Sequence, residues 1–236
     1  MSTIKVISFD LDDTLWAVKP ALIRAEKLST AFLSEQCPEL YQRFSVEDIN
    51  ERRIGLYKTR PDLHHQISKF RTESVRLMIL ECGYSEAEAL RLAEEAFSIF
   101  IKGRHEVTLY PGVEQCLQQL HASHTLVALT NGNADVRRLG IARFFDFSLK
   151  AEDINSSKPA APHFELTLQR YDIEPEHMLH VGDHAEHDVF GAQQLGIKTA
   201  WVNAKGVDWP NDLSHGPADL EVDSVTKLPP LISQLA

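Results

Sequence analysis

Four short apolar runs constrain this chain more than any other feature: "IKVISFD" (4–10), "HTLVALTNGN" (124–133), "HMLHVGDH" (177–184) and "IKTAWVN" (197–203). Each is aliphatic or β-branched, lacks strict alternation, and breaks off in turn-forming or charged residues. A strand that alternates keeps one wet face. One that does not is covered on both, as in a parallel sheet between helical layers. Amphipathic segments lie between the runs. In "PGVEQCLQQLH", Val113, Cys116, Leu117 and Leu120 follow a helical stripe with Pro111 near its start. In "HDVFGAQQLG", Val189, Ala192 and Leu195 repeat the stripe and Gly196 is placed to end it. Strand and helix in turn predict a doubly wound α/β fold with a parallel sheet.

Residues 17–104 have another texture, with no convincing strand. "PDLHHQISKFRTESVRLMILECG" places Ile67, Phe70, Ser74, Leu77 and Met78 on one helical face, with Gly83 as the stop. "SEAEALRLAEEAFSIFIKG" opens with Ser85 and Glu88 at capping-box spacing, and Leu90, Ala93, Phe97 and Phe100 form its expected buried stripe. The expected organisation is a core from residues 1–16 and 105–236, interrupted by an all-helical domain at 17–104. A block inserted after the first strand is placed to cap that strand's carboxyl end, where open α/β sheets bind ligands.

Polar residues cluster where the runs stop. The first ends in Asp10, followed by Asp12, Asp13 and Thr14; the second in Thr130, Asn131 and Gly132; the third in Asp183, with Asp188 five residues on. Lys158 precedes Pro159 in the loop "SSKPAAP" (156–162). If the strands are parallel neighbours, these groups share one sheet edge. Three carboxylates within four positions disfavour one another's ionisation, so a bound cation is the leading explanation. Oxygen-only donors suit a hard ion, Mg²⁺ above all, which takes one or two protein carboxylates and completes its shell with water and phosphate oxygens. A hydroxyl, an ammonium and free backbone amides suit the phosphate. Together they are what phosphoryl transfer needs, because its transition state spreads negative charge over three equatorial oxygens.

"DLDDT", "LTN", the lysine of "KP" and "GDHAEHD" resemble the four ordered motifs of the haloacid dehalogenase superfamily, specifically its phosphatases with a helical cap after the first motif. The resemblance implies a Rossmann-like core and assigns roles. Asp10 would be the nucleophile forming an aspartyl-phosphate. Asp12 would protonate the leaving alcohol and then activate water. Asp10, the backbone carbonyl of Asp12 and Asp183 would hold Mg²⁺, with Asp188 behind them orienting Lys158 or metal-bound water. Thr130, the backbone around Asn131, and Lys158 would bind the phosphoryl group. The dehalogenase branch lacks the second aspartate and the metal-binding acids, so Asp12, Asp183 and Asp188 favour phosphate chemistry. "FDLDDTLW", "LTNGN" and "LHVGDH" further resemble the bacterial flavin mononucleotide (FMN) phosphatases, which also dephosphorylate a ribityl-aminouracil intermediate of riboflavin synthesis.

Several residues read more plainly. Asp13 has no counterpart role and suits a turn former. His180 belongs in a strand, and His184 and His187 at a helix entry, beside the cation rather than on it; His184 is left as a candidate to line the pocket. Trp16 is placed either to pack at the cap boundary or to face the pocket. The odd, dispersed Cys37, Cys82 and Cys116 indicate neither a disulfide framework nor a zinc site. A net charge of −10 argues against nucleic acid as a partner, while no apolar run approaches the roughly 20 residues of a membrane span. With no basic-then-apolar leader, the expectation is a cytoplasmic monomer or weak homodimer acting on a small phosphorylated metabolite. A phosphotransferase or mutase sharing the aspartyl-phosphate is the alternative, and a non-catalytic phosphate-binding protein a third.

Overall fold

The computed structural model describes residues 3–210, 213–214 and 216–235. The chain divides into two compact units, Met1–Val18 with Val107–Ala236, and Lys19–Glu106.

The first unit is built on six strands: β1 (Val6–Phe9), β2 (Thr125–Thr130), β3 (Phe147–Lys150), β4 (Met178–Gly182), β5 (Lys198–Val202) and β6 (Leu220–Val222). Their order is β3-β2-β1-β4-β5-β6 and every pairing is parallel. The chain moves outward from β1 to β2 and β3, then returns to β1's other side for β4, β5 and β6. That reversal makes a crevice at the carboxyl ends of β1 and β4, the position where such sheets bind ligands. Both faces are covered, as the non-alternating runs require. Ile7, Phe9, Leu126 and Val181 pack on one side with Val113, Leu117 and Leu120, while Val6, Val127, Leu129 and Met178 pack on the other with Phe164.

The second unit is helical: α1 (Val18–Gln36, entering from the first unit), α2 (Pro38–Arg43), α3 (Val46–Thr59), α4 (Ile67–Glu81) and α5 (Glu86–Arg104). The remaining helices belong to the sheet unit: α6 (Val113–His121), α7 (Ala151–Ile154), α8 (Pro162–Tyr171) and α9 (Gly191–Gln193). Among the described residues, no helix is long and apolar enough to cross a membrane.

Three local expectations need correction. The buried stripe of α5 is Ala89, Leu92, Ala93, Ala96 and Phe100, and Leu90 is 42% exposed; small alanines let the helix approach its neighbours, and Leu90 lies just off the contact line. Only half of the capping box forms: Ser85 Oγ accepts from Glu88 N–H, while the Glu88 carboxylate pairs with Arg91. The stripe beginning at Val189 does not start a regular α-helix, since Ala185–Phe190 is a π-helical turn that runs into the short α9.

Candidate active site

Asp10 follows β1 directly, and its N–H donates to Val181 O at 2.8 Å, fixing it against the end of β4. The chain then turns through Asp13, whose left-handed φ of +58° and whose Oδ1, accepting from Val18 N–H at 3.0 Å, make it the turn residue. Asp12 is held from the side: Trp16 Nε1 donates to its Oδ1 at 2.9 Å, and Trp16 is itself fully buried in the sheet unit's core.

Lys158 is the hub. Its buried ammonium donates to Asp10 Oδ1 at 2.9 Å, Asp188 Oδ1 at 2.6 Å and Leu129 O at 2.7 Å, using all three protons. Asn131 places the loop that carries it, since Asn131 Nδ2 donates to Lys158 O at 2.8 Å and Asn131 Oδ1 accepts from Lys158 N–H at 2.7 Å. The Asn131 side chain is thus spent on Lys158, leaving its backbone for any phosphate role. Thr130 Oγ1 accepts from Gly132 N–H at 3.0 Å, which leaves its O–H proton to donate.

The carboxylates differ in how well they are served. Asp188 accepts from Lys158, from His184 N–H at 3.0 Å and from His180 Nε2 at 3.2 Å. Burial alone would raise its pKa, but the Lys158 charge and these hydrogen bonds hold it well below the usual carboxylate range. Because a carboxylate only accepts, His180 Nε2 carries the proton and Nδ1 accepts from Ser8 Oγ at 2.7 Å. Asp10 shares the same single ammonium with fewer donors, so burial and the Asp188 charge push its carboxyl well above the usual range. Burial, then Asp188 and Asp13, raise Asp183 to about 6. Thr14 Oγ1 lies 3.4 Å from Asp10 Oδ2 and 3.3 Å from Asp183 Oδ1, and its one proton can serve only one of them. Burial would lower the Lys158 pKa, yet the two facing carboxylates outweigh it and the net shift is upward.

Asp10, Asp183 and Asp188 each offer a carboxylate oxygen, all within 4.8 Å of one another. One lysine against three such acids leaves negative charge uncompensated, and an oxygen-only cluster with raised carboxyls can hold a divalent cation. Asp10 and Asp183 have oxygens to give. Asp188, committed to Lys158, His180 and His184 N–H, suits the layer behind.

Sequence reasoning missed Ser8, the anchoring role of Trp16, and His163. Trp16 stands four residues after Asp12, and Ser8, two residues before Asp10 on the same face of β1, is a polar residue in an otherwise apolar strand; those were the available signals. His163 on α8 is wholly buried, and burial followed by the Lys158 charge lowers it to about 3, outweighing the Thr130 backbone, which raises it.

The parallel sheet gathers acidic and cationic groups at its switch point, and the haloacid dehalogenase-like hydrolase family model matches residues 4–196. The chain belongs to that family and is a phosphatase-type member, a hydrolase of phosphoric monoesters. Among its relatives is the Escherichia coli (strain K12) 5-amino-6-(5-phospho-D-ribitylamino)uracil phosphatase YigB, 31% identical over 208 residues that cover 88% of this chain and 87% of the relative. A solved structure described as a 2-haloacid dehalogenase from Pseudomonas syringae pv. Tomato DC3000 is 39% identical, covers 99% of this chain and 100% of its own, and superposes with a TM-score of 0.94. The putative HAD-hydrolase YfnB from Bacillus subtilis, solved with bound magnesium, shares the fold at 21% identity and a TM-score of 0.65, over 98% of this chain and 99% of its own.

Proposed function

We propose that this phosphatase acts on a small phosphorylated metabolite through an aspartyl-phosphate on Asp10, with Mg²⁺ as its cation. The observation that carries the reading is the convergence of Asp10, Lys158, Asp188 and Asp183 at the β1/β4 switch point. An Asp10 oxygen attacks phosphorus, the phosphorus–oxygen ester bond breaks, and Asp12 gives its proton to the departing alkoxide. Asp12 then takes a proton from water, which attacks the same phosphorus and releases phosphate and the Asp10 carboxylate. The Thr130 hydroxyl and the amides after β2 receive the phosphoryl oxygens, and Lys158 joins them by turning to the phosphoryl group the N–H it gives Asp10 Oδ1. Mg²⁺, held by Asp10, Asp183 and the Asp12 carbonyl, would neutralise charge between carboxylate and phosphoryl group. Trp16 keeps Asp12 aimed, and Asp188 keeps Lys158 aimed. The helical unit is proposed to serve as the cap that selects the leaving group.

Likeness to the E. coli ribitylamino-uracil phosphatase supports a ribityl phosphate such as FMN or 5-amino-6-(5-phospho-D-ribitylamino)uracil as substrate. A second reading, dehalogenation, is favoured by the 39% identical structure. Halide departs without a proton and without a cation, so that chemistry leaves Asp12 and Asp183 without work. The test is a panel of phosphomonoesters including FMN, alongside L-2-chloropropionate, each with Mg²⁺ or with EDTA. Phosphate release that EDTA abolishes supports the proposal; halide release without phosphate release would overturn it.

A further inference from the structure

In the helical unit, α3 buries none of its residues although it carries Val46, Ile49, Ile54, Leu56 and Tyr57. Helices of this length are held mainly by packing an apolar face. The inner face of α3 does not close on its neighbours because a cavity of about 540 Å³ lies against it, lined by Val46 and Ile49 of α3 and by Leu33, Val75, Met78 and Phe97. Protein interiors otherwise pack as densely as organic crystals, and apolar space left to water is costly. A volume of this size falls among small-molecule sites, which join apolar walls to a few placed polar groups.

One corner of the cavity is charged. Arg53 of α3 and Arg71 of α4 both bind the Glu26 carboxylate, at 3.2 and 2.5 Å. Two guanidiniums on one carboxylate leave one positive charge over. Arg71 lies over the Phe100 ring at 3.6 Å, whereas Arg53 makes one hydrogen bond among the described residues and keeps its other N–H donors. A neutral helix laid into the cavity would bury that charge without a partner, at a cost of several kcal/mol. An anion would complete it.

We propose that this cavity is a binding site for a small organic anion with an apolar body, the anionic group meeting Arg53 and the body filling the space beneath α3. None of its residues belongs to the Asp10 cluster, so the site stands or falls apart from the phosphatase reading.

The probe is 8-anilinonaphthalene-1-sulfonate, compared with its uncharged analogue N-phenyl-1-naphthylamine. The folded protein is expected to bind one sulfonate dye per chain with saturable fluorescence. Arg53→Gln should weaken the sulfonate about fivefold or more while leaving the uncharged dye unchanged. Ala96→Phe, which fills the cavity, should abolish both, and Val46→Trp at the exposed rim repeats that test without touching the core. No saturable binding by the folded wild type, equal sulfonate affinity in Arg53→Gln, or dye binding that appears only when a dimer dissociates would overturn the site.

Discussion

Lys158 and Asn131 show how much of this site depends on individual hydrogen bonds. A buried ammonium is tolerated because two carboxylates and a carbonyl take its three protons, and it stays in reach because one amide side chain grips its backbone at both the N–H and the carbonyl. Asn131→Ala removes both contacts and leaves two polar groups without their partner, at about 1–3 kcal/mol each where they are dry. The expected outcome is a lowered melting temperature together with a rise in KM for phosphomonoesters, read by thermal unfolding and steady-state kinetics; an unchanged KM would show that Lys158 holds its place without the clamp. At this scale the residues that the structure brings together, Asp10, Asn131, Lys158, Asp183 and Asp188, were among those named from spacing at strand ends and from family resemblance. The direction in which a side chain spends its hydrogen bonds was not legible. Asn131 could be named but its amide's commitment could not, because that depends on a loop returning from 27 residues away. His163 was silent for the same reason, since long-range packing gives it its neighbours.

Among the elements, β4 and the turn that follows it set the position of Asp188. Gly182 closes β4, and a Cβ there would lie 2.2 Å from Asp188 Cγ, so the carboxylate can press against the strand end only because residue 182 has no side chain. Gly182→Ala should therefore displace Asp188, release Lys158 and lower kcat by about 100-fold or more, with a loss of stability. Gly55→Ala is the control: Gly55 lies inside α3 with no atom within 4 Å of the added carbon, and the change should raise stability by up to about 1 kcal/mol. Denaturant unfolding and kcat of both variants check the pair. The four apolar runs announced β1, β2, β4 and β5. The edge strands β3 and β6 did not announce themselves, because "FSLK" is only half-buried throughout and "LEV" is three residues long. The π-helical turn was likewise hidden, since its apolar spacing is compatible with an α-helix and its winding follows from bringing Asp188 back to His184 N–H.

For the whole molecule, the sheet order decides function: a reversal at β1 brings Asp10 and Asp183 together although they lie 173 positions apart in the numbering. Burying ionisable groups to do so carries a pH signature. His163 titrates near 3 in the folded state, against 6.5 when unfolded. Between those values the unfolded chain binds a proton that the folded one does not, so the stability His163 contributes is present above about 6.5 and is lost as pH falls. Asp10 and Asp183, with raised folded pKa values, act in the opposite sense. A difference measurement removes them. Relative to wild type, His163→Leu should gain about 2 kcal/mol of stability between pH 7 and pH 5, measured by urea unfolding at both; a constant difference would mean that His163 is not held neutral.

The central claim is that Asp10 attacks phosphorus. Its most direct test is phosphate release from FMN, or from the best phosphomonoester found, by wild type and by Asp10→Asn at saturating Mg²⁺, with circular dichroism confirming that both are folded. A fall of about 1,000-fold or more in Asp10→Asn is the expected result. A folded Asp10→Asn protein that turns over within about tenfold of wild type would contradict the account.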